Sequence, residues 1–430
     1  MWRKWLSRIA QLFIGQSVAQ GVGLFAGLLL VRWMEKDDYA AYTLAASALA
    51  FLNISTDLGL SAAVLALGGQ CHGDNDRLAR LVRSALYYRR LLLAYCAPVM
   101  LSLLPWIFHH HGWTGYTPWL ISLAVLASTW FHAGAAVYGA VLKLQYAILP
   151  LQIVDATANG IRLTSILLLG SGHITALAAV FINLLGSLWQ YAGNHANVSR
   201  RLRGTRQAQP IEHAALWQFT RPLIASNLFY AMQGQIAIWL VTWVAPSVAI
   251  AEVGALGRLG QLVLFLNMFV TLLVQPYLAR LKDQQLYRAR VLQISLAETA
   301  GALAIATSGY LFPALWLHIL GARYAGLGSE AALMITLAAI VFLGDCFYYS
   351  LIARCHTVRQ WLRIPVTIAG IAIGALLSPP IGTRAAIIFQ FYMLAPYTVL
   401  QGVLLVKYLR TCRVASERPA VLIQRGVLTS

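Results

Sequence analysis

Four polar residues recur along one otherwise apolar stretch of this chain. Gln152, Asp155, Asn159 and Arg162 stand at i, i+3, i+7 and i+10, which places them on one face of a helix. Such a stripe can line a water-filled cavity and offer amides and charges to a polar ligand. The same residues can instead hold helices together, with Asp155 and Arg162 each paired to a neighbour. The spacing favours a cavity wall and leaves the packing alternative open.

A second arginine, Arg258, shares a helix face with Gln261 in another apolar stretch. A guanidinium keeps its proton, so it holds positive charge at membrane depth and suits a phosphate group. The alternative is an arginine that extends its charged end to the membrane surface. Spacing alone does not separate the two interpretations.

Acidic residues also fall within apolar stretches, where a charge faces a cavity, a partner or a transport pathway by default. Asp57 shares a face with Asn53 and Ser61. Asp57 and Asp155 are candidate sites for a coupling proton or sodium ion, and a structural ion pair is the alternative for Asp57. Glu298 and Asp345 are further candidates for the same roles.

The elements that must position these side chains are membrane-spanning helices. Of the 430 residues, 59% are hydrophobic and 11% are charged, whereas soluble domains average about 25% charged. Apolar runs of about 20 residues, the length needed to span a bilayer, recur along nearly the whole chain. The runs lack an alternating pattern, so they predict helices rather than a β-barrel. The first run continues to about Val31 without a clear cleavage site, which favours an uncleaved helix over a signal peptide.

Twelve spans are predicted, at 10–33, 40–67, 88–108, 118–142, 148–170, 174–194, 221–245, 251–278, 291–313, 331–353, 364–379 and 384–407. With both termini inside, the inner segments contain 26 of the 32 basic residues, the outer segments contain four, and two lie within spans. Basic residues concentrate on the cytoplasmic side of membrane proteins, so this asymmetry supports the span count and the orientation. It also accounts for the net charge of +18 without nucleic acid.

A basic segment at the centre of the sequence divides the spans into two sets of six. We therefore predict an N-terminal lobe at 1–200, a cytoplasmic basic linker at 201–220, a C-terminal lobe at 221–410 and a cytoplasmic tail at 411–430. Gly204 and Pro210 disfavour a helix across the linker. Equal helix counts on either side are typical of duplicated transporters.

Other chemistries lack a matching pattern in the sequence. The five cysteines have no paired or metal-like spacing. His109, His110 and His111 are adjacent, so they cannot all face one metal ion in regular structure, and an outer loop near the aromatic belt is favoured. No phosphate-binding loop of the GxxxxGK[ST] type occurs, so direct use of ATP is not expected.

Two regions resemble the polysaccharide and O-antigen flippases of the multidrug/oligosaccharidyl-lipid/polysaccharide exporter superfamily. The first is the opening hairpin and the second lies early in the C-terminal half; the matching segments are 30–32, Tyr39, 41–42, 57–60, 252–259 and 275–280. The residues before Arg258 depart from the family pattern, because Ala255, Leu256 and Gly257 stand where relatives often have aromatic residues.

This resemblance implies two lobes around a central cationic cavity that opens alternately to either side of a bacterial inner membrane. The implied cargo is an oligosaccharide on undecaprenyl pyrophosphate, with polysaccharide polymerase and glycosyltransferases as expected partners. Arg258 is carried over from the family pattern, whereas Arg162 is assigned from its stripe. The two arginines are expected to contact the pyrophosphate from separate lobes, with Gln261, Asn159 and Gln152 lining the same cavity.

Two other functions remain open. A multidrug exporter of the same superfamily would need an apolar or acidic pocket for organic cations, which two arginines disfavour. A membrane glycosyltransferase or polymerase usually has a sizeable outer loop, whereas the longest outer loops here have about 10 to 17 residues. We therefore expect a transporter without enzymatic activity.

Overall fold

The protein folds as a bundle of long helices in a computed structural model. The structure describes residues 2–69, 74–145, 147–170, 174–200, 210–221, 224–281, 283–353 and 360–416, and the predicted cytoplasmic tail lies almost wholly outside them. All regular structure in these ranges is helical, which confirms the predicted all-α class.

The described residues of the first half form nine helices. They are α1 (Trp2–Trp33), α2 (Lys36–Asp57), α3 (Leu60–Gly69), α4 (Asn75–His110), α5 (Thr117–Leu144), α6 (Ile148–Leu169), α7 (Ala176–Ser199), α8 (Pro210–Thr220) and α9 (Ile224–Val244).

The second half begins with a helix that changes its hydrogen-bonding pattern along its length. It comprises α10 (Ser247–Leu264), α11 (Asn267–Phe269), a π-helical turn (Val270–Val274) and α12 (Gln275–Arg280). The remaining helices are α13 (Gln284–Leu311), α14 (Pro313–Leu320), α15 (Gly328–Ile352), α16 (Arg363–Leu377) and α17 (Thr383–Ser416), with short 3₁₀ turns at Ala322–Tyr324 and Gln360–Leu362.

Each of the twelve predicted spans coincides with helix in the structure. Within the part of the chain that the structure describes, seven helices are long and apolar enough to cross a membrane: α4, α5, α7, α10 with its extension to Phe269, α13, α15 and α17. The pair α2 and α3 would be an eighth span, bent by 42°. The bend lies at Leu58 and Gly59, whose φ angles are 40° and 93°. The chain is therefore a multi-pass membrane protein.

The second part of the predicted linker is a helix rather than a loop. Pro210 begins α8, because a proline in the first turn loses no intrahelical hydrogen bond. Leu216 on α8 is fully buried and joins a core with residues of α3, α4 and α5.

The described chain divides into two compact units that do not follow a single cut in the sequence. The first comprises residues up to Arg258 together with Ile319–Tyr324 and Pro380–Thr383, and the second contains the remainder. The second unit has its own apolar cores, one around Phe342 and Cys346 and one around Leu278 and Tyr287. The predicted lobe boundary at 201–220 stays a prediction.

Candidate functional site

The guanidinium of Arg258 lies among aromatic hydroxyls in the first unit. Its Nε atom donates a hydrogen bond to Tyr39 Oη at 3.4 Å, and the hydroxyl of Tyr42 is a second partner. Tyr39 and Tyr42 are both buried, near the start of α2. On α1, a Cβ atom at Gly27 would lie 3.2 Å from Arg258 Nη1, so the glycine gives the guanidinium its space. The arginine is therefore held by the opening hairpin rather than extended to the membrane surface.

Tyr42 connects this arginine to the predicted stripe on α6. Its hydroxyl accepts a hydrogen bond from Asn183 Nδ2 on α7 at 3.1 Å, and its ring lies close enough to interact electrostatically with both Arg258 and Arg162. Both arginines belong to the first unit. The expectation that they come from separate lobes stays a prediction, since the compact units do not follow the predicted lobe boundary.

Arg162 is positioned by its own helix and by α7. Its Nη1 atom donates to Asn159 Oδ1 at 2.9 Å, and Asn159 Nδ2 in turn donates to the carbonyl oxygen of Ala19 on α1 at 2.8 Å. The Nε atom lies over Gly186, where an added Cβ would stand only 2.2 Å away. Three helices thus fix the orientation of this guanidinium.

The four residues of the stripe face two different helices. Gln152 and Asn159 face glycines of α1, whereas Asp155 accepts a hydrogen bond from Gln190 Nε2 on α7 at 3.2 Å. These contacts are the ones expected if the stripe joins neighbouring helices. Arg162 remains half-buried and adds positive charge to the same region as Arg258. A role for these residues in binding cargo stays a prediction.

The small residues of α1 were a signal that the sequence analysis missed. Gly15, Ala19, Gly23 and Gly27 recur every four residues and so form one face of the helix. Three of these positions face a polar side chain: Gly15 faces Gln152, Gly23 faces Asn159 and Gly27 faces Arg258. Small residues at this spacing let helices approach closely in a membrane. The small residues of α1 and the polar residues of α6, taken together, would have predicted that these two helices pack against each other.

Asp57 is placed in an ion pair. It contacts Arg89, which is 3% exposed and also donates to Ser61 Oγ at 2.7 Å and to the carbonyl oxygen of Ala133. Asp57 Oδ1 accepts from the backbone amide of Ser61 at 3.1 Å. This arrangement ties the break between α2 and α3 to α4 and α5, as the structural alternative for Asp57 requires. A coupling role for Asp57 or Asp155 stays a prediction.

A second polar group, which we term the loop cluster, surrounds the turn between α1 and α2. It comprises Lys36, Glu252, Tyr324, Arg323 and Thr383, all in the first unit. Lys36 Nζ lies 2.9 Å from Glu252 Oε1 and 5.5 Å from the centre of the Tyr324 ring. Thr383 Oγ1 donates to Glu252 Oε2 at 2.6 Å, and Arg323 donates to backbone carbonyl groups of the turn. The cluster holds this turn against α10 at Glu252, which precedes Arg258 by six residues.

The second unit contains the carboxylates that the sequence identified as further candidates. Asp345 accepts hydrogen bonds from Asn267 Nδ2 at 2.7 Å and from the Tyr397 hydroxyl at 3.3 Å. Glu298 lies near Cys346, the next residue after Asp345. Gln261 belongs to this unit and is exposed.

Comparison with solved structures identifies the fold. A multidrug-resistance MATE transporter of the MOP superfamily, in an inward-facing conformation, matches with a TM-score of 0.72 and 12% identity over 93% of this chain and 96% of its own. The lipid II flippase MurJ matches with a TM-score of 0.72 and 11% identity over 95% and 91%. The Vibrio cholerae MATE transporter VcmN matches with a TM-score of 0.54 and 15% identity over 95% and 98–99%.

These likenesses extend over almost the whole length of each protein and support the all-helical membrane fold predicted from the sequence. No protein-family model matches the chain. No curated protein matches it either.

Proposed function

We propose that this protein moves a lipid-linked oligosaccharide, carried on a pyrophosphate, from the cytoplasmic to the outer leaflet of a bacterial inner membrane. The observation that carries the proposal is the placement of Arg258 between the buried Tyr39 and Tyr42, with Arg162 in the same unit. A charge within a membrane span is costly and is retained where it has a function or a partner. The described hydrogen bonds of both guanidiniums are to neutral hydroxyl and amide groups, which supports a site that takes up an anion.

A pyrophosphate is the part of such a cargo that fits this site. Guanidinium groups bind phosphate oxygens through two parallel hydrogen bonds. Neighbouring tyrosine hydroxyls can donate to the same oxygens while their rings exclude water. The sugar would need the amide groups of α6, and the lipid tail can remain in the bilayer.

The likeness to MurJ supports this cargo class, since the name of that protein is lipid II flippase. The fold alone does not distinguish a lipid-linked cargo from a drug, because MATE multidrug transporters match equally well. A multidrug exporter is therefore the second candidate. The half-buried carboxylates Asp345 and Glu298 favour it, since an organic cation needs a negative partner. We prefer the flippase because the arginines of the first unit would repel such a cation.

The proposal is tested by export in a strain that lacks the chromosomal gene and carries plasmid-borne variants. Arg258→Ala should abolish surface polysaccharide while the protein stays abundant in the membrane, and lipid-linked units should accumulate on the inner face. Arg258→Lys keeps the charge but loses the planar fork, so partial export is expected. Arg290→Ala is the matched control, because Arg290 is an exposed arginine of α13 in the second unit.

Three results would count against the proposal. Normal export by Arg258→Ala at normal abundance would remove the observation that carries it. Increased sensitivity to cationic drugs on deletion, with polysaccharide unchanged, would favour the multidrug candidate. Completed units that reach the outer face without being polymerised would indicate a polymerase. The expected partners of the pathway, a polymerase and glycosyltransferases, remain part of this proposal.

A further inference from the structure

An apolar groove in the first unit lies between α4, α8 and the start of α9. Its volume is about 470 Å³. Leucines form most of its walls, and its edge carries two large exposed aromatic residues, Tyr95 (71% exposed) and Trp217 (48% exposed). A cavity of this volume holds about fifteen groups the size of a water molecule, which is close to the volume of one lipid chain.

One polar atom in this groove lacks a partner. Thr220, at the end of α8, lines the groove and is 4% exposed. Its Oγ1 atom is buried, and no described residue forms a hydrogen bond with it. A buried hydroxyl without a partner is costly. An occupant with an acceptor oxygen at this point would satisfy it.

Positive charge lies beside the same end of the groove. Arg221 follows Thr220 directly and is exposed. The start of α4 lies beside the other end of α8, where Arg80 pairs with Glu212, and its arginines Arg77, Arg80 and Arg83 mark the cytoplasmic side. An occupant must therefore be apolar at one end, accept a hydrogen bond at the boundary and be negatively charged beyond it.

Contacts between α8 and α4 border the groove at the end away from Thr220. Arg80 Nε lies 3.1 Å from Glu212 Oε1, and the Glu212 side chain is 7% exposed. His213 packs edge-on against the rings of Tyr87 and Tyr88, and Tyr88 also stacks on Trp217. These contacts attach α8 to α4 without filling the space beneath it.

We infer that this groove binds an anionic phospholipid of the cytoplasmic leaflet, with one acyl chain among the leucines, an ester or phosphate oxygen at Thr220 and the headgroup charge at Arg221. Interfacial tyrosine and tryptophan at the edge suit the boundary between acyl chain and headgroup. A basic residue near an anionic membrane surface contributes a modest, additive preference. The site is separate from the arginines proposed to bind cargo, so it does not rest on the proposed function.

The test is native mass spectrometry of the full-length protein, released from detergent after titration with phosphatidylglycerol or with phosphatidylcholine of the same acyl chains. The wild-type protein should retain one phosphatidylglycerol in preference to phosphatidylcholine. Arg221→Gln should weaken that preference about fivefold, whereas the control Arg290→Gln should not change it. Leu92→Trp fills the groove and should prevent retention of both lipids.

A second variant tests the groove independently in case Leu92→Trp does not fold. Thr220→Val preserves the side-chain shape and the buried surface, so it should fold and should lower retention of both lipids. Equal retention of the two lipids by the wild-type protein, or full retention by both groove variants, would overturn the inference. Displacement of phosphatidylglycerol by a lower concentration of undecaprenyl phosphate would assign the groove to a prenyl carrier and would also overturn it.

Discussion

Replacing the glycine beneath Arg162 tests whether transport depends on the exact position of this arginine as well as on its charge. Gly186 on α7 is buried, and a Cβ atom there would lie 2.2 Å from Arg162 Nε and 2.9 Å from Cζ. Carbon and nitrogen atoms in ordinary contact are at least about 3.4 Å apart. Gly186→Ala must therefore displace the guanidinium by about 1 Å without removing any charged group.

A displacement of this size exceeds what the existing hydrogen bond tolerates. Arg162 Nη1 donates to Asn159 Oδ1 at 2.9 Å, and such bonds weaken beyond about 3.2 Å. If the guanidinium contacts the cargo, loss of one charge-assisted hydrogen bond costs about 1.5–3 kcal/mol. That corresponds to transport roughly 10- to 150-fold slower at limiting cargo.

The folded protein should tolerate the same change. Alanine is favoured over glycine within a helix by about 1 kcal/mol, which offsets part of the roughly 1–3 kcal/mol that overpacking costs. We therefore expect abundance near that of the wild type. Gly160→Ala is the matched control, since Gly160 lies on α6 two residues before Arg162 and an added Cβ meets nothing within 4 Å.

The assay is the initial rate at which radiolabelled lipid-linked oligosaccharide crosses the bilayer of liposomes that contain purified protein. The reasoning predicts slow transport for Gly186→Ala and wild-type transport for Gly160→Ala. Equal rates for the two variants at equal protein content would refute it, because the exact placement of Arg162 would then have no effect on the cargo.

Two further predictions concern the ion pairs of the first unit. Asp57→Asn should lower the abundance of the protein sharply, since a buried arginine left without its partner costs about 3–5 kcal/mol. Adding Arg89→Met should restore much of the abundance. An abundant Asp57→Asn protein whose transport no longer depends on an ion gradient would instead favour coupling at Asp57. In the loop cluster, Lys36→Glu should lower the midpoint of thermal unfolding because it places a second negative charge beside Glu252. The exchanged pair, Lys36→Glu with Glu252→Lys, should recover most of the lost midpoint temperature. Identical midpoints for the single and double variants would show that the two side chains do not interact.

The helices themselves could be predicted from the sequence because a bilayer allows few alternatives. Backbone groups in lipid must be bonded within the segment, so every long apolar run becomes a helix. This is why all twelve predicted spans coincide with helix, including the short one closed by Pro379 and Pro380. The helix at Pro210 was not predicted, since its stability depends on Leu216 entering a core that involves five other helices.

The direction of the polar stripe was decided by packing. Periodicity placed Gln152, Asp155, Asn159 and Arg162 on one face, but a helical face of that width contacts two neighbours. The structure turns its residues toward α1 on one side and toward α7 on the other. Only the neighbours determine whether such a face meets water or another helix.

The sequence by itself therefore determined the class of the protein, its helices and the two arginines that are candidates for binding cargo, because hydropathy and charge act locally along the chain. The tertiary structure alone decided that Arg258 lies between Tyr39 and Tyr42, that Arg162 belongs to the same unit, and that Asp57 is paired with Arg89. Those contacts join residues up to 219 positions apart. No local pattern can specify them, since they depend on which helices pack together and on the small residues of α1 that let them approach.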